Sequence, residues 1–103
     1  MERTLRDRFG RAVRLTQERV EHILRHPELQ GQIDKLEAVL REPDVIVKSL
    51  RAPDVHLYHK HYSESPVTEK YLLVAVKVKE PDVFIITAFF TDTVKVGERI
   101  WEK

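Results

Sequence analysis

A chain of 103 residues is long enough for one hydrophobic core and too short for two. Its 42% hydrophobic and 34% charged residues exclude a disordered segment, and a net charge of +1 excludes a whole-molecule basic field that would draw it onto nucleic acid. With no cysteine, disulfides, thiolate chemistry and cysteine-held zinc are excluded as well.

Residues 4–15 read as a short hairpin or arm, with a turn at Asp7 to Gly10 and Leu5, Phe9, Val13 and Leu15 packing down. Its arginines (Arg3, Arg6, Arg8, Arg11, Arg14) form either a phosphate-binding stripe or a solvated face paired with Glu2, Asp7 and Glu18. Thr16 then opens a helix over 17–26, because its hydroxyl can accept from the free N–H groups of the first turn. Glu18 suits the positive end of that helix, and Val20, Ile23 and Leu24 supply one apolar stripe. Pro27 ends it, since proline disfavours helical geometry at the residue before it. A second helix is expected over 30–41, where Ile33, Leu36, Val39 and Leu40 share a face, and Pro43 stops it.

From there the period changes to two. Asp44–Leu50, Val55–Tyr62, Lys70–Lys79 and Val83–Thr91 read as four strands, separated by turn compositions at 52–54, 63–68 and 80–82. Short connections favour an antiparallel meander, and 96–101 adds a short extended piece with Trp101 over the core. The expected fold is therefore one α+β domain over 1–103. It has an N-terminal hairpin or arm and two helices packed on one face of a four-stranded antiparallel sheet.

Alternation sorts the strand residues by face. Leu72, Val74, Val76 and Val78 are expected under the helices, together with Val55 and Leu57 and with the set Phe84, Ile86, Ala88 and Phe90. That leaves Tyr58, Lys60, Thr87 and Thr91 on the open face, with Arg51 at its border. Metal-independent RNA cleavage needs a base, an acid and cations for a charged phosphorane, and these residue types can supply them. An open antiparallel sheet also suits a flexible single strand, whose bases stack on aromatic rings. The same residues equally make an ordinary solvated face, because strands select Tyr and Thr by propensity alone.

On the first helix His22 and His26 share a face close to Arg19 and Arg25. The i, i+4 spacing is one that metals use, but no HExxH pattern is present and the neighbouring cations oppose a metal ion, so none is expected. His26 reads as a cap at the helix C-terminus. His59 and His61 lie on one side of the second strand, with no chemical role evident.

The ordered pieces FGRAVRLTQERVEHILRHPEL, VHLYHK, YLLVAVKV and FIITAFFTDTVKVGERIW resemble the phage-associated barnase/EndoU/colicin/RelE-like nuclease superfamily, from Phe9 to Trp101. Members of that group commonly carry an aromatic where this chain has Val20 and a second Tyr where it has His59. The resemblance implies N-terminal helices against a four-stranded antiparallel sheet and a ribonuclease-like site without metal. By position its actors become His22 with Arg19 or Arg25, then Arg51 and Lys60 with Tyr58, then Thr87 and Thr91.

The leading expectation is a toxin- or effector-like endoribonuclease acting on single-stranded RNA without metal or other cofactor. His22 serves as acid or base, Tyr58 as proton or stacking partner, and Lys60 and Thr87 complete the catalytic set. Arg19, Arg25, Arg51 and Thr91 hold the substrate. RNA, an antitoxin or immunity protein and a second copy of the chain are the partners this admits. The alternative is a non-catalytic RNA- or protein-binding module on the same fold. No apolar run approaches the ~20 residues that cross a bilayer, and the charged start lacks a leader-like stretch, so a cytoplasmic protein without membrane association is expected.

Overall fold

The computed structural model describes residues 2–65 and 68–103. The chain runs β1 (Arg3–Arg6), β2 (Ala12–Leu15), α1 (Gln17–Ile23), a 3-10 turn (Pro27–Leu29), α2 (Lys35–Arg41), β3 (Val45–Ser49), β4 (Val55–Ser65), β5 (Thr68–Lys79), β6 (Asp82–Thr91) and β7 (Gly97–Glu102). The α+β class stands, but among the described residues the sheet has seven strands in the order β1-β2-β6-β5-β4-β3-β7, not the four expected. The meander β3 to β6 is antiparallel throughout. The arm closes as a β1–β2 hairpin and attaches through a single parallel pairing, Arg14 with Phe84. At the far side β7 pairs antiparallel with β3. Both additions cover backbone groups that a four-stranded sheet would leave exposed at its edges. The connection expected at 63–68 contains Pro66 and Val67, which lie outside the described residues.

Local chemistry explains where the helices stop. The Thr16 hydroxyl accepts from the Arg19 N–H, so α1 starts where expected. Its last turn tightens, with Arg25 N–H on the His22 carbonyl and His26 N–H on that of Ile23. His26 is already extended before Pro27, which ends α1 three residues short of the expected boundary. Gly31 has φ 75°, a left-handed geometry that breaks the anticipated long second helix, and α2 begins only at Lys35.

Ile23, Leu29, Leu36, Val39 and Leu40 form one buried cluster with Leu5, Val13 and Leu15 of the hairpin and with Tyr58, Val74, Val76, Ile85 and Ala88 of the sheet. Gly97 is required by close approach: a Cβ there would lie 2.3 Å from the Lys48 carbonyl oxygen, so only glycine lets β7 come against β3 at this point. Among the described residues no helix is long and apolar enough to cross a membrane.

Candidate functional site

The strand registers divide the sequence-predicted residues between two sides of the sheet. Tyr58 pairs with Val74, and Lys60 with Leu72, so both lie on the helix-covered side. Leu57 opposes Ala75 and His59 opposes Leu73, on the open side. This reverses the orientation expected for β4. The physical reason is the Tyr58 hydroxyl, which finds polar partners deep in the fold and so needs no solvent.

Strand β6 follows the expectation only in its second half. A bulge shifts its register between Ala75 and Val76 of the partner strand, leaving Ile86 as the extra residue. Val83 and Ile85 therefore join the core beside Val78 and Val76, whereas after the bulge Ala88 and Phe90 do so. Thr87, Phe89 and Thr91 oppose Ala75, Leu73 and Tyr71 on the open side. Neither of the two alternating sets forms a whole face.

Tyr58 sits in a closed polar network. Its hydroxyl donates to Asp7 Oδ2 at 2.7 Å and accepts from Arg11 Nη2 at 2.9 Å. Arg11 Nε also donates to Asp7 Oδ2 at 2.9 Å. The Phe9 and Arg11 N–H groups fill Asp7 Oδ1, and the Asp7 and Gly10 backbones close the hairpin turn. Burial alone would raise the Asp7 pKa, but bonds from Tyr58 and Arg11 outweigh it and hold the carboxyl below its ordinary value. Burial, then the Asp7 carboxylate, push the Tyr58 phenol well above the usual range, so it is a neutral donor at physiological pH. A phenol so placed cannot reach an external phosphate.

The remaining expected residues are spread out. Lys60 Nζ donates to the Glu42 carbonyl at 2.9 Å. Arg19 Nη1 reaches the Ile86 carbonyl at 3.5 Å, along β6. His22 is half-buried on α1, and Arg25 is exposed beyond its end. The His26 ring lies 6.3 Å from that of Phe89. Among the described residues no group of three His, Asp or Glu is arranged to hold a metal. Thr91 Oγ1 donates to the Thr93 carbonyl, and Arg51 is exposed at the start of the β3–β4 connection.

On the open side the structure does build a concave surface. A trough of about 280 Å³ is floored by Leu57, Leu73, Ala75 and Phe89, with Arg51 and Lys95 at its rim. The segment after β6 crosses this face and is tied down where Lys95 N–H donates to His59 Nε2 at 3.1 Å. The Lys95 ammonium lies 5.7 Å from the Phe89 ring centre. His59 is fully buried beneath the segment, and among the described residues its Nδ1 makes no well-formed hydrogen bond, with the Leu57 and Val45 carbonyls as its polar neighbours. Burial lowers the His59 pKa, and Lys95 and Arg99 act the same way, against the opposing influence of the Leu57 and Val45 carbonyls. Thr87 lies beside the trough, across from Ala75.

Sequence reasoning named Asp7, Arg11 and His59 without these roles and did not single out Lys95. A turn flanked by an acid and an arginine four apart was a visible signal for the first two. Nothing local announces that Lys95 meets a histidine 36 positions earlier. Comparison with protein-family models, with curated proteins and with solved structures finds no match for this chain.

Proposed function

We propose that this protein is a non-catalytic binding module that takes single-stranded RNA on its open sheet face. The observation that carries this reading is an apolar trough rimmed by Arg51 and Lys95, two cations that have no ion pair among the described residues. An apolar floor containing Phe89 suits a base, and the rim suits its phosphates. Tyr71 is a diagonal neighbour of Phe89 on the same face, within reach of a second stacked base. His61 packs edge-on against Tyr71 at 5.2 Å, which orients that ring.

An endoribonuclease would need His22, Tyr58, Lys60 and Thr87 at one phosphate. The Tyr58 hydroxyl is engaged by Asp7 and Arg11, and Lys60 lies on the opposite side of the sheet from Thr87. That separation favours binding without cleavage, and with it goes the reason for an antitoxin or immunity partner.

The test is fluorescence anisotropy of a labelled, unstructured RNA in EDTA, with the same samples then run on a denaturing gel. Binding should weaken with salt, with a log–log slope of about −1.4 for two phosphate contacts on a single strand. It should fall at least tenfold in Arg51→Ala/Lys95→Ala, and the RNA should remain intact. Cutting that disappears in His22→Ala would replace this reading with the nuclease; absence of binding at low salt would sink it.

A further inference from the structure

A second recess lies on the helix-covered side, away from the trough, where β4 and the end of β7 pass the α2–β3 connection. Its volume is about 420 Å³, within the roughly 300–1,000 Å³ of small-molecule sites. One wall is Trp101, with the Arg8 guanidinium stacked 4.2 Å from the ring centre. Another is Lys60, whose ammonium gives one N–H to the Glu42 carbonyl and keeps two more to donate.

The charges around it are unevenly matched. Glu102 pairs with Arg99 at 3.4 Å, and Lys103 pairs with Asp44 at 3.9 Å. Among the described residues the side chains of Arg8, Lys60 and Glu42 have no ion pair, so of the unpaired side chains two cations face one carboxylate and this end of the recess, at Lys60 and Arg8, favours an anion. Its flat wall favours a ring, because bases stack on guanidinium planes as they do on aromatics. A lysine with free N–H groups binds phosphate as a point charge.

We infer that this recess binds a nucleoside monophosphate, with the base on the Arg8–Trp101 stack and the phosphate on Lys60. The inference uses no residue of the open-face trough and does not rest on the RNA reading. Uridine and adenosine monophosphates should both be accepted, since stacking discriminates little between bases.

Trp101 is the single tryptophan of the chain, so its emission reports occupancy directly. Titration with adenosine 5′-monophosphate should give a saturable change, with affinity about tenfold or more above that for inorganic phosphate or adenosine alone. Lys60→Met should weaken it about tenfold and Lys60→Arg should restore it, since either cation can meet a phosphate. Arg8→Ala, in an exposed turn, provides a second variant whose folding is not at issue; it too should weaken binding. Arg51→Ala should leave the titration unchanged. No saturable response, equal binding of phosphate or adenosine alone, unaltered affinity in Lys60→Met and Arg8→Ala, or loss in Arg51→Ala would each overturn the assignment.

Discussion

Tyr58 and His59 are consecutive on β4 and both fully buried, yet they face opposite sides of the sheet and meet opposite conditions. Tyr58 closes a network in which Asp7, Arg11 and the hairpin turn satisfy one another. His59 is bonded on one nitrogen, by a backbone N–H of the crossing segment, and among the described residues it is unpartnered on the other. A satisfied buried network rigidifies the fold, whereas an unpaired buried polar group costs stability. The Tyr58 network is therefore the anchor of the helix-covered side, even though His56 on that same side leaves its buried Nδ1 without a partner among the described residues. On the other side a crossing segment tied through one histidine borders the trough proposed for a single strand.

The sharpest way to break this contrast is Asp7→Ala, which leaves the Tyr58 hydroxyl and the half-buried Arg11 without their shared acceptor. Urea unfolding should show a loss of about 3 kcal/mol. A loss near zero would mean that water replaces the carboxylate and that the network anchors nothing. Tyr58→Phe is milder, because Asp7 keeps Arg11 and two backbone donors; a loss of about 1.5 kcal/mol is expected by the same measurement.

Acid should act on both sides, through His56 on the helix-covered side and His59 on the open one. His56 and His59 both have folded-state pKa values below histidine's usual 6.5, chiefly through burial. The unfolded chain then binds more protons than the folded one below pH 6.5, so stability is full above that pH and declines as pH falls toward the folded-state values. Asp7, lowered from 3.8, adds its own loss only at still lower pH, as its carboxylate is protonated. In His59→Gln, whose amide oxygen can still accept from Lys95, the decline between pH 6.5 and 5 should flatten in thermal melts. An unchanged slope would assign the decline to His56 instead.

The smallest effect on folding is expected at the trough. Arg51→Ala should move stability by less than about 0.5 kcal/mol, while RNA affinity in anisotropy titrations falls several-fold. A variant that unfolds and a variant that binds RNA normally would each erase the division between the anchoring Tyr58 network and the RNA-binding trough.

Much of the fold is legible in local chemistry. Thr16 as a helix cap, Pro27 and Pro43 as stops, the apolar stripe of Leu36, Val39 and Leu40, and the period-two runs all act through near neighbours. The orientation of β4 is not legible, because Val55 and Leu57 make one of its sides as apolar as Tyr58 and Tyr62 make the other. Strand β5 is buried on both faces from Leu72 to Val76, so it gives its partner no preference. In β6 the bulge at Ile86 interrupts the alternation that any pattern argument assumes. The candidate site depends on these choices: a one-residue change of side moves Tyr58 and Lys60 away from Thr87.

By itself, then, the sequence determined the α+β class, the elements of the meander and the residues able to carry charge or stack, since propensity, capping and periodicity are properties of adjacent residues. Only the tertiary structure decided that the sheet has seven strands, that Tyr58 is bound to Asp7 across 51 positions and that Arg51 meets Lys95 at one trough. Those outcomes turn on edge pairing, register and the satisfaction of buried polar groups. Each is settled between segments that are distant in the chain and become neighbours only when it folds.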